Sequence, residues 1–258
     1  MIPVSHNIPS GKKIFFASDF HLGVPSREES LAREKKIVRW LDSIKDEAQI
    51  IYLVGDIFDF WFEYKTAIPK GFIRLQGKLA ELRDRGIEIL FFVGNHDMWM
   101  FDYFTDELGI PVLRKPIEIE YNGKSFLIGH GDGLGPGDHT YKFLKVFFRN
   151  KVCQWLFGLI HPDAGITFAL FWSRSSRISQ NKQEKGFLGD KEFLYAYCIE
   201  QESKKHRDFY IFGHRHLPLD IKIGENSRYI NLGEWVNHYT YAEFDGQQLN
   251  LKKFEEAL

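Results

Sequence analysis

The chain has 258 residues, 44% of them apolar, with 34 Lys/Arg against 35 Asp/Glu. That length suits one large α/β unit with a substantial core, and the balanced charge leaves no basic excess for general nucleic-acid binding. Cys153 and Cys198 make no CxxC pair or disulfide framework, no uninterrupted apolar stretch approaches the ~20 residues of a membrane span, and residues 1–7 lack a signal-peptide pattern, so the expected location is the cytoplasm. Residues 13–18 are short, apolar and flanked by a polar loop, which reads as a buried strand. Residues 29–45 then carry Leu31, Ile37, Trp40, Leu41 and Ile44 at helical spacing. A strand at 49–54, a helix at 72–85 stopped by Gly86 and a third buried strand at 88–93 follow. This β-α-β-α-β order predicts a mostly parallel sheet with right-handed crossovers. From 117 the pattern changes: residues 117–121 alternate, Asn122-Gly123 signals a tight turn and 124–128 return, a hairpin. Residues 209–212, 229–232 and a hairpin at Asp245-Gly246 add strands. Residues 139–205 read as mainly helical, an insertion or lid on a single domain spanning 1–258.

Five strands end in residues that bind hard metal ions. In order they give Asp19-Phe20-His21, Gly55-Asp56-Ile57-Phe58-Asp59, Gly94-Asn95-His96-Asp97, Gly129-His130-Gly131-Asp132 and Gly213-His214-Arg215-His216. Any one of these alone reads as a loop cap or an Asx turn. Five in order, each after a strand, do not. Ligands in open α/β sheets sit beyond the carboxyl ends of the strands, so the five should converge although nearly 200 residues separate the first from the last. Carboxylates, an amide oxygen and imidazoles without a thiolate suit Mn²⁺, Fe²⁺, Zn²⁺ or Mg²⁺. A shared carboxylate suits a pair of such ions and in-line phosphoester hydrolysis without a protein nucleophile.

The five-part set is similar to that of the calcineurin-like metallophosphoesterases, over most of the chain. The resemblance implies a four-layer α/β/β/α sandwich. It implies one metal held by Asp19, His21, Asp56 and His216, and a second by Asp56, Asn95, His130 and His214, with Asp56 bridging. It also implies that His96 lies outside the ligand set, stabilises the transition state and helps protonate the leaving group, with Asp97 orienting it; Asp59 and Asp132 are expected to be supporting or structural.

The metal site does not choose the phosphoester; the 139–205 segment must. Residues 141–149 interleave Tyr141, Phe143, Leu144, Val146, Phe147 and Phe148 with Lys142, Lys145 and Arg149, and residues 154–160 and 166–172 are also apolar-rich. Between 130 and 182 there are seven Lys/Arg and three Asp. Aromatics of this kind often do no more than pack a cap on its sandwich. Mixed with cations in this number, they suit an amphiphile, with acyl chains in a groove, an anionic headgroup against basic side chains and an anionic membrane nearby. Arg174 and Arg177, in a Ser-Arg-Ser-Ser-Arg run, suit phosphate or nucleotide. Within the superfamily, Phe16-Ala17-Ser18-Asp19-Phe20-His21-Leu22-Gly23, the Gly55 to Asp59 block, and His130-Gly131-Asp132 followed by Asp138 and Tyr141 resemble the UDP-2,3-diacylglucosamine pyrophosphohydrolases of lipid A synthesis. That resemblance implies hydrolysis to 2,3-diacylglucosamine 1-phosphate (lipid X) and UMP, a preference for Mn²⁺, substrate contacts from Asn95, Asp138, Tyr141, Arg174 and Arg177, and peripheral contact with the inner membrane. It implies no nucleic-acid and no obligate protein partner. Well-known members of that family carry Arg where this chain has His96, so another nucleotide, nucleotide-sugar or phospholipid substrate is the alternative.

Overall fold

The computed structural model describes residues 5–137, 139–180 and 186–255. The described strands are β1 (Ser5–His6), β2 (Lys13–Ala17), β3 (Ala48–Val54), β4 (Glu88–Phe92), β5 (Val112–Leu113), β6 (Ile117–Tyr121), β7 (Lys124–Gly129), β8 (Phe209–Phe212), β9 (Pro218–Ile223), β10 (Ser227–Leu232), β11 (Thr240–Phe244) and β12 (Leu249–Lys253). The helices are α1 (Arg27–Ile44), α2 (Ile73–Asp84), α3 (Tyr103–Leu108), α4 (His139–Arg149), α5 (Lys151–Gly158), α6 (Pro162–Gln180) and α7 (Phe193–Lys204). The strands make two six-stranded sheets, ordered β12-β11-β2-β3-β4-β5 and β1-β6-β7-β8-β10-β9.

The period of two along each strand explains the layering. In β2, β3 and β4, Phe15, Ala17, Ile51, Leu53, Ile89 and Phe91 face α1, α2 and α3. Their neighbours Ile14, Phe16, Ile50, Tyr52, Val54 and Phe92 face the other sheet, where Phe126, Ile128, Phe209, Ile211 and Ile230 meet them. Both faces are buried, which is why these strands read as continuous apolar runs. On the far face of the second sheet, Leu127, Tyr210, Phe212 and Tyr229 pack under Leu194 and Cys198 of α7. Three apolar interfaces therefore separate four layers, α/β/β/α.

The four layers are those the resemblance implied, and the parallel order expected of the first strands holds for β2 to β5, within two sheets that are both mixed. β2 to β5 are parallel, but β11 joins β2 antiparallel and brings β12 with it. The β6–β7 hairpin belongs to the second sheet, where β7 and β8 run parallel. The 139–205 segment divides as well, since α7 belongs to the sandwich's outer layer while α4 to α6 lie outside it. Two charges inside the α1 stripe have structural duties. Arg33 is buried and donates to the carbonyls of His21, at 2.7 Å, and Val24. Buried Glu34 accepts from the amides of Arg74 and Leu75 at 2.8 and 3.1 Å, and so caps α2, whose own N-cap, Phe72, has no side-chain acceptor.

Candidate metal centre

The loops after β2, β3 and β4 in one sheet and after β7 and β8 in the other meet at one edge of the sandwich. One donor atom from each of Asp19, His21, Asp56 and His216 lies within 4.8 Å of the others, and so do donors from Asp56, His130 and His214. In the first group, His21 Nε2 and His216 Nε2 are 3.0 Å apart, and Asp19 Oδ1 lies 3.6 and 3.2 Å from them. In the second, His130 Nε2 lies 3.3 Å from Asp56 Oδ2 and 3.4 Å from Asn95 Oδ1. Asp56 Oδ2 is also 4.0 Å from His21 Nε2, so one carboxylate oxygen stands between the groups.

These positions are strained and held. Asp19, His21, Asp56, His214 and His216 all have positive φ, between 45° and 66°. For residues with a Cβ this costs about 1–3 kcal/mol each and persists only where the surroundings enforce it. Here the loops bond to one another: Asp19 N donates to Gly55 O, His21 N to Asp56 O, His214 N to Asp19 Oδ2 and His96 N to Asp56 Oδ1, at 2.8–3.0 Å. The glycines before the donors have a steric reason. A Cβ on Gly94 would overlap the Asp56 carboxylate, and one on Gly213 would overlap that of Asp19.

The electrostatics suit cations. Burial works against both charges, yet His21 and His216 beside Asp19, and His130 and His96 beside Asp56, hold both carboxyls well below the usual carboxylate range. Burial also opposes charge on His130, but Asp56, then Asp19 and Asp132, raise it to about 10. Burial and the neighbouring His130 push His214 down to about 4. Asp19 Oδ1 is fully buried and accepts no hydrogen bond despite having His216 at 3.2 Å. An orphaned carboxylate oxygen aimed into a ring of imidazoles is a costly arrangement without a cation. His130 Nδ1 meets Val54 O at 2.8 Å, which fixes the ring with Nε2 facing the Asp56 and Asn95 oxygens. Two donor groups of hard oxygens and imidazoles sharing Asp56 fit a dinuclear divalent-metal site.

The supporting residues are not arranged as the sequence suggested. The expected partner of His96 was Asp97. Instead, His96 Nδ1 lies 3.0 Å from the Asp59 carbonyl and 3.6 Å from its carboxylate, and Asp59 also stands 3.5 Å from His21 Nδ1. Asp97 is fully buried and accepts from the amides of Gly94, Ile57 and Phe58 at 2.7, 2.8 and 3.4 Å, so it ties two donor loops together. Burial, then the Asp56 charge, push its carboxyl up to about 7.

Of the expected substrate contacts, Asn95 is in the donor group. Tyr141 lies near, its hydroxyl donating to Asp132 Oδ2 at 2.6 Å and its ring centroid 6.5 Å from that of His214. Asp138 lies outside the described residues. Arg174 and Arg177 fall on α6, where only the backbone is described. The helices α4 to α6 rest on loops that leave the donors. Trp99 Nε1 donates to Phe148 O at 2.8 Å, and Phe157 packs on Phe60, Phe62 and Trp99 with centroids 6.1, 4.7 and 4.7 Å away. Their other side is apolar and open: Phe143, Val146, Trp155, Leu159, Phe168 and Phe171 are 60–75% exposed. Monomers rarely leave a patch of this kind without a ligand, partner or membrane to meet it. No helix among the described residues is long and apolar enough to cross a membrane.

Comparison with known proteins agrees with this geometry. The calcineurin-like phosphoesterase family model matches residues 12–218. The chain is similar to the UDP-2,3-diacylglucosamine hydrolase of Porphyromonas gingivalis, 39% identical over 95% of this chain and 98% of that protein. It is also similar to the protein of that name in Pseudomonas fluorescens, 26% identical over 94% and 95%. Among solved structures, Yfce, a phosphoesterase from E. coli, superposes with a TM-score of 0.43 at 15% identity, over 90% of this chain and 87% of its own, too distant to bear on function.

Proposed function

The chain belongs to the calcineurin-like phosphoesterase family, a family of metal-dependent hydrolases, and from that premise we propose that it cleaves the pyrophosphate of UDP-2,3-diacylglucosamine to 2,3-diacylglucosamine 1-phosphate and UMP. The observation that carries the substrate is the 39% identity to a hydrolase of that name along nearly the full length of both chains. The exposed apolar face beside the donor loops supports it, because a diacylated substrate needs somewhere to lay its chains.

In this reading Asp19, His21, Asp56 and His216 hold one divalent cation and Asp56, Asn95, His130 and His214 the other, Mn²⁺ being the preferred ion. Two such ions lower the pKa of a bound water and offset charge on the attacking and leaving oxygens. The residues of the chain supply the rest. Asp56, common to both donor groups, would be shared by the two ions. His96 is anchored through Nδ1 on the Asp59 carbonyl, so its other ring nitrogen is the one that exchanges a proton with the leaving oxygen. The single domain carries α4 to α6 within its 139–205 insertion as a lid, and Tyr141, Arg174 and Arg177 are its proposed substrate contacts. The exposed apolar face rests on a membrane surface.

A Mn²⁺-supplemented assay on UDP-2,3-diacylglucosamine beside bis-p-nitrophenyl phosphate, following UMP, tests the assignment. Strong Mn²⁺-dependent UMP release with little aryl ester turnover is expected. Turnover of the aryl ester alone would retain the metal site and remove the lipid substrate.

A further inference from the structure

A small cleft opens on the His130 side of the centre. It encloses about 280 Å³ and is lined by Arg114 and Lys115 from the β5–β6 connection, Lys145 and Arg149 from α4, and His130, Gly131 and Asp132 after β7. Four cations share that volume with one carboxylate, Asp132, so most of the positive charge has no counter-charge of its own. Lys145 has an internal partner, Asp132 Oδ2, at 2.5 Å. Among the described residues Arg114, Lys115 and Arg149 pair with no carboxylate.

Arg114 is held by carbonyls instead, donating from Nη1 to Met98 O at 3.1 Å and from Nη2 to Met100 O. Its own carbonyl accepts from Arg149 Nη2 at 3.1 Å, which fixes the second guanidinium beside the first. Partial burial, opposed by Glu63 and aided by the charge of Arg149, pulls the Arg114 guanidinium below its usual range. Glu63 is the facing carboxylate, and it is occupied by the amides of Phe101, Asp102 and Tyr103. Guanidiniums left with unused donors and no counter-charge are built to meet phosphate oxygens. The volume is below the ~300–1,000 Å³ of pockets that enclose whole drug-sized ligands. It suits a phosphate-sized group and not an acyl chain.

We propose that this cleft binds the second phosphate of a diphosphate substrate, the one next to the phosphate under attack. The assignment rests on the pyrophosphate reading above and adds the device that separates a diphosphate from a simple ester. A substrate with one phosphorus reaches the metals and leaves Arg114, Lys115 and Arg149 without a partner. A diphosphate engages both.

Isothermal titration of inorganic pyrophosphate into the metal-free protein reads the cleft without turnover. Wild type is expected to bind, and Arg149→Gln to lose about tenfold or more in affinity, as the loss of a charge-assisted pair implies. Adding Arg114→Gln should deepen the loss. Lys35→Gln, on the exposed side of α1, should bind as wild type does. Arg149 is exposed on α4, so R149Q reports even if the double variant fails to fold. No binding by wild type, or equal affinity in wild type and R149Q, overturns the proposal. With the metals restored, wild type is expected to bind pyrophosphate more tightly than orthophosphate by a margin that R149Q removes; the same margin in both proteins would make the cleft a site for free phosphate and overturn the diphosphate assignment. Weakened pyrophosphate binding in R149Q without UMP release from UDP-2,3-diacylglucosamine retains the cleft and removes only the lipid substrate.

Discussion

In the donor loops, Asp19, His21 and Asp56 are at most 1% exposed, while on the insertion Phe143, Val146, Trp155 and Phe171 are 63–75% exposed. The first set keeps a left-handed backbone because neighbouring loops bond across it. The second set is carried by ordinary helices and offers its side chains to whatever lies outside. Charge placement differs in the same way. Buried carboxylates and imidazoles compensate one another within the centre, whereas the cations around it, such as Arg149, face outward or into a cleft. The difference separates two tasks. Reacting groups must be fixed within a fraction of an ångström, and only a packed, hydrogen-bonded setting does that. A surface that accepts a flexible chain gains nothing from such fixing.

Substitutions can break this contrast. The largest effect is expected from Asp56→Asn, which removes the oxygen common to both donor groups. Turnover should fall by about 10³-fold or more, since paired ions contribute several kcal/mol to the transition state. Steady-state rates and a thermal melt would check it, and near-wild-type activity in the folded, metal-loaded variant would sink the site as drawn. Next comes Asp97→Ala, which frees the amides of Gly94 and Ile57. A metal-affinity loss of about 10–100-fold is expected from a residue that orients ligand loops, measured by competition with a chelator. Unchanged affinity would reduce Asp97 to a core polar residue.

Two smaller effects sharpen the contrast from the other side. Trp155→Ser and Phe171→Ser should raise KM for the diacylated substrate about tenfold, the worth of one large apolar side chain meeting an acyl group. Bis-p-nitrophenyl phosphate should be affected far less, and equal losses on both would mean these residues serve the fold. Smallest is Glu34→Ala, which uncaps α2 far from the donors. Stability should drop by about 1 kcal/mol in denaturant titration, with metal affinity within roughly twofold. A large metal effect there would show that the outer helices also tune the centre.

Much of the centre was legible because each donor follows a short apolar strand, and a strand end is a fixed address in this fold. Asp19, Asp56 and His130 could be read in that way. The roles of Asp59 and Asp97 could not, since which carboxylate faces the His96 ring depends on how two loops cross. Arg33 and Glu34 carried a visible signal, two charges within an apolar helical stripe, but their targets lie on other elements. Of the cleft, the Lys145 and Arg149 side showed as basic residues interleaved in 141–149, while Arg114 and Lys115 left no pattern, because a separate segment contributes them. The second sheet was legible only through the family resemblance and not from the pattern itself, since buried strands look alike whichever partner they take.

The place of β11 has a consequence for the order of events during synthesis. It lies against β2, which leads directly into Asp19, yet the ribosome delivers it more than two hundred residues later. At typical elongation rates that is a wait on the order of ten to forty seconds. During that interval β2 has β3 on one side and an open edge on the other, and the strand that delivers His214 and His216 arrives only near the end. The full donor set is therefore assembled late in synthesis, and the strand that covers the β2 edge comes later still.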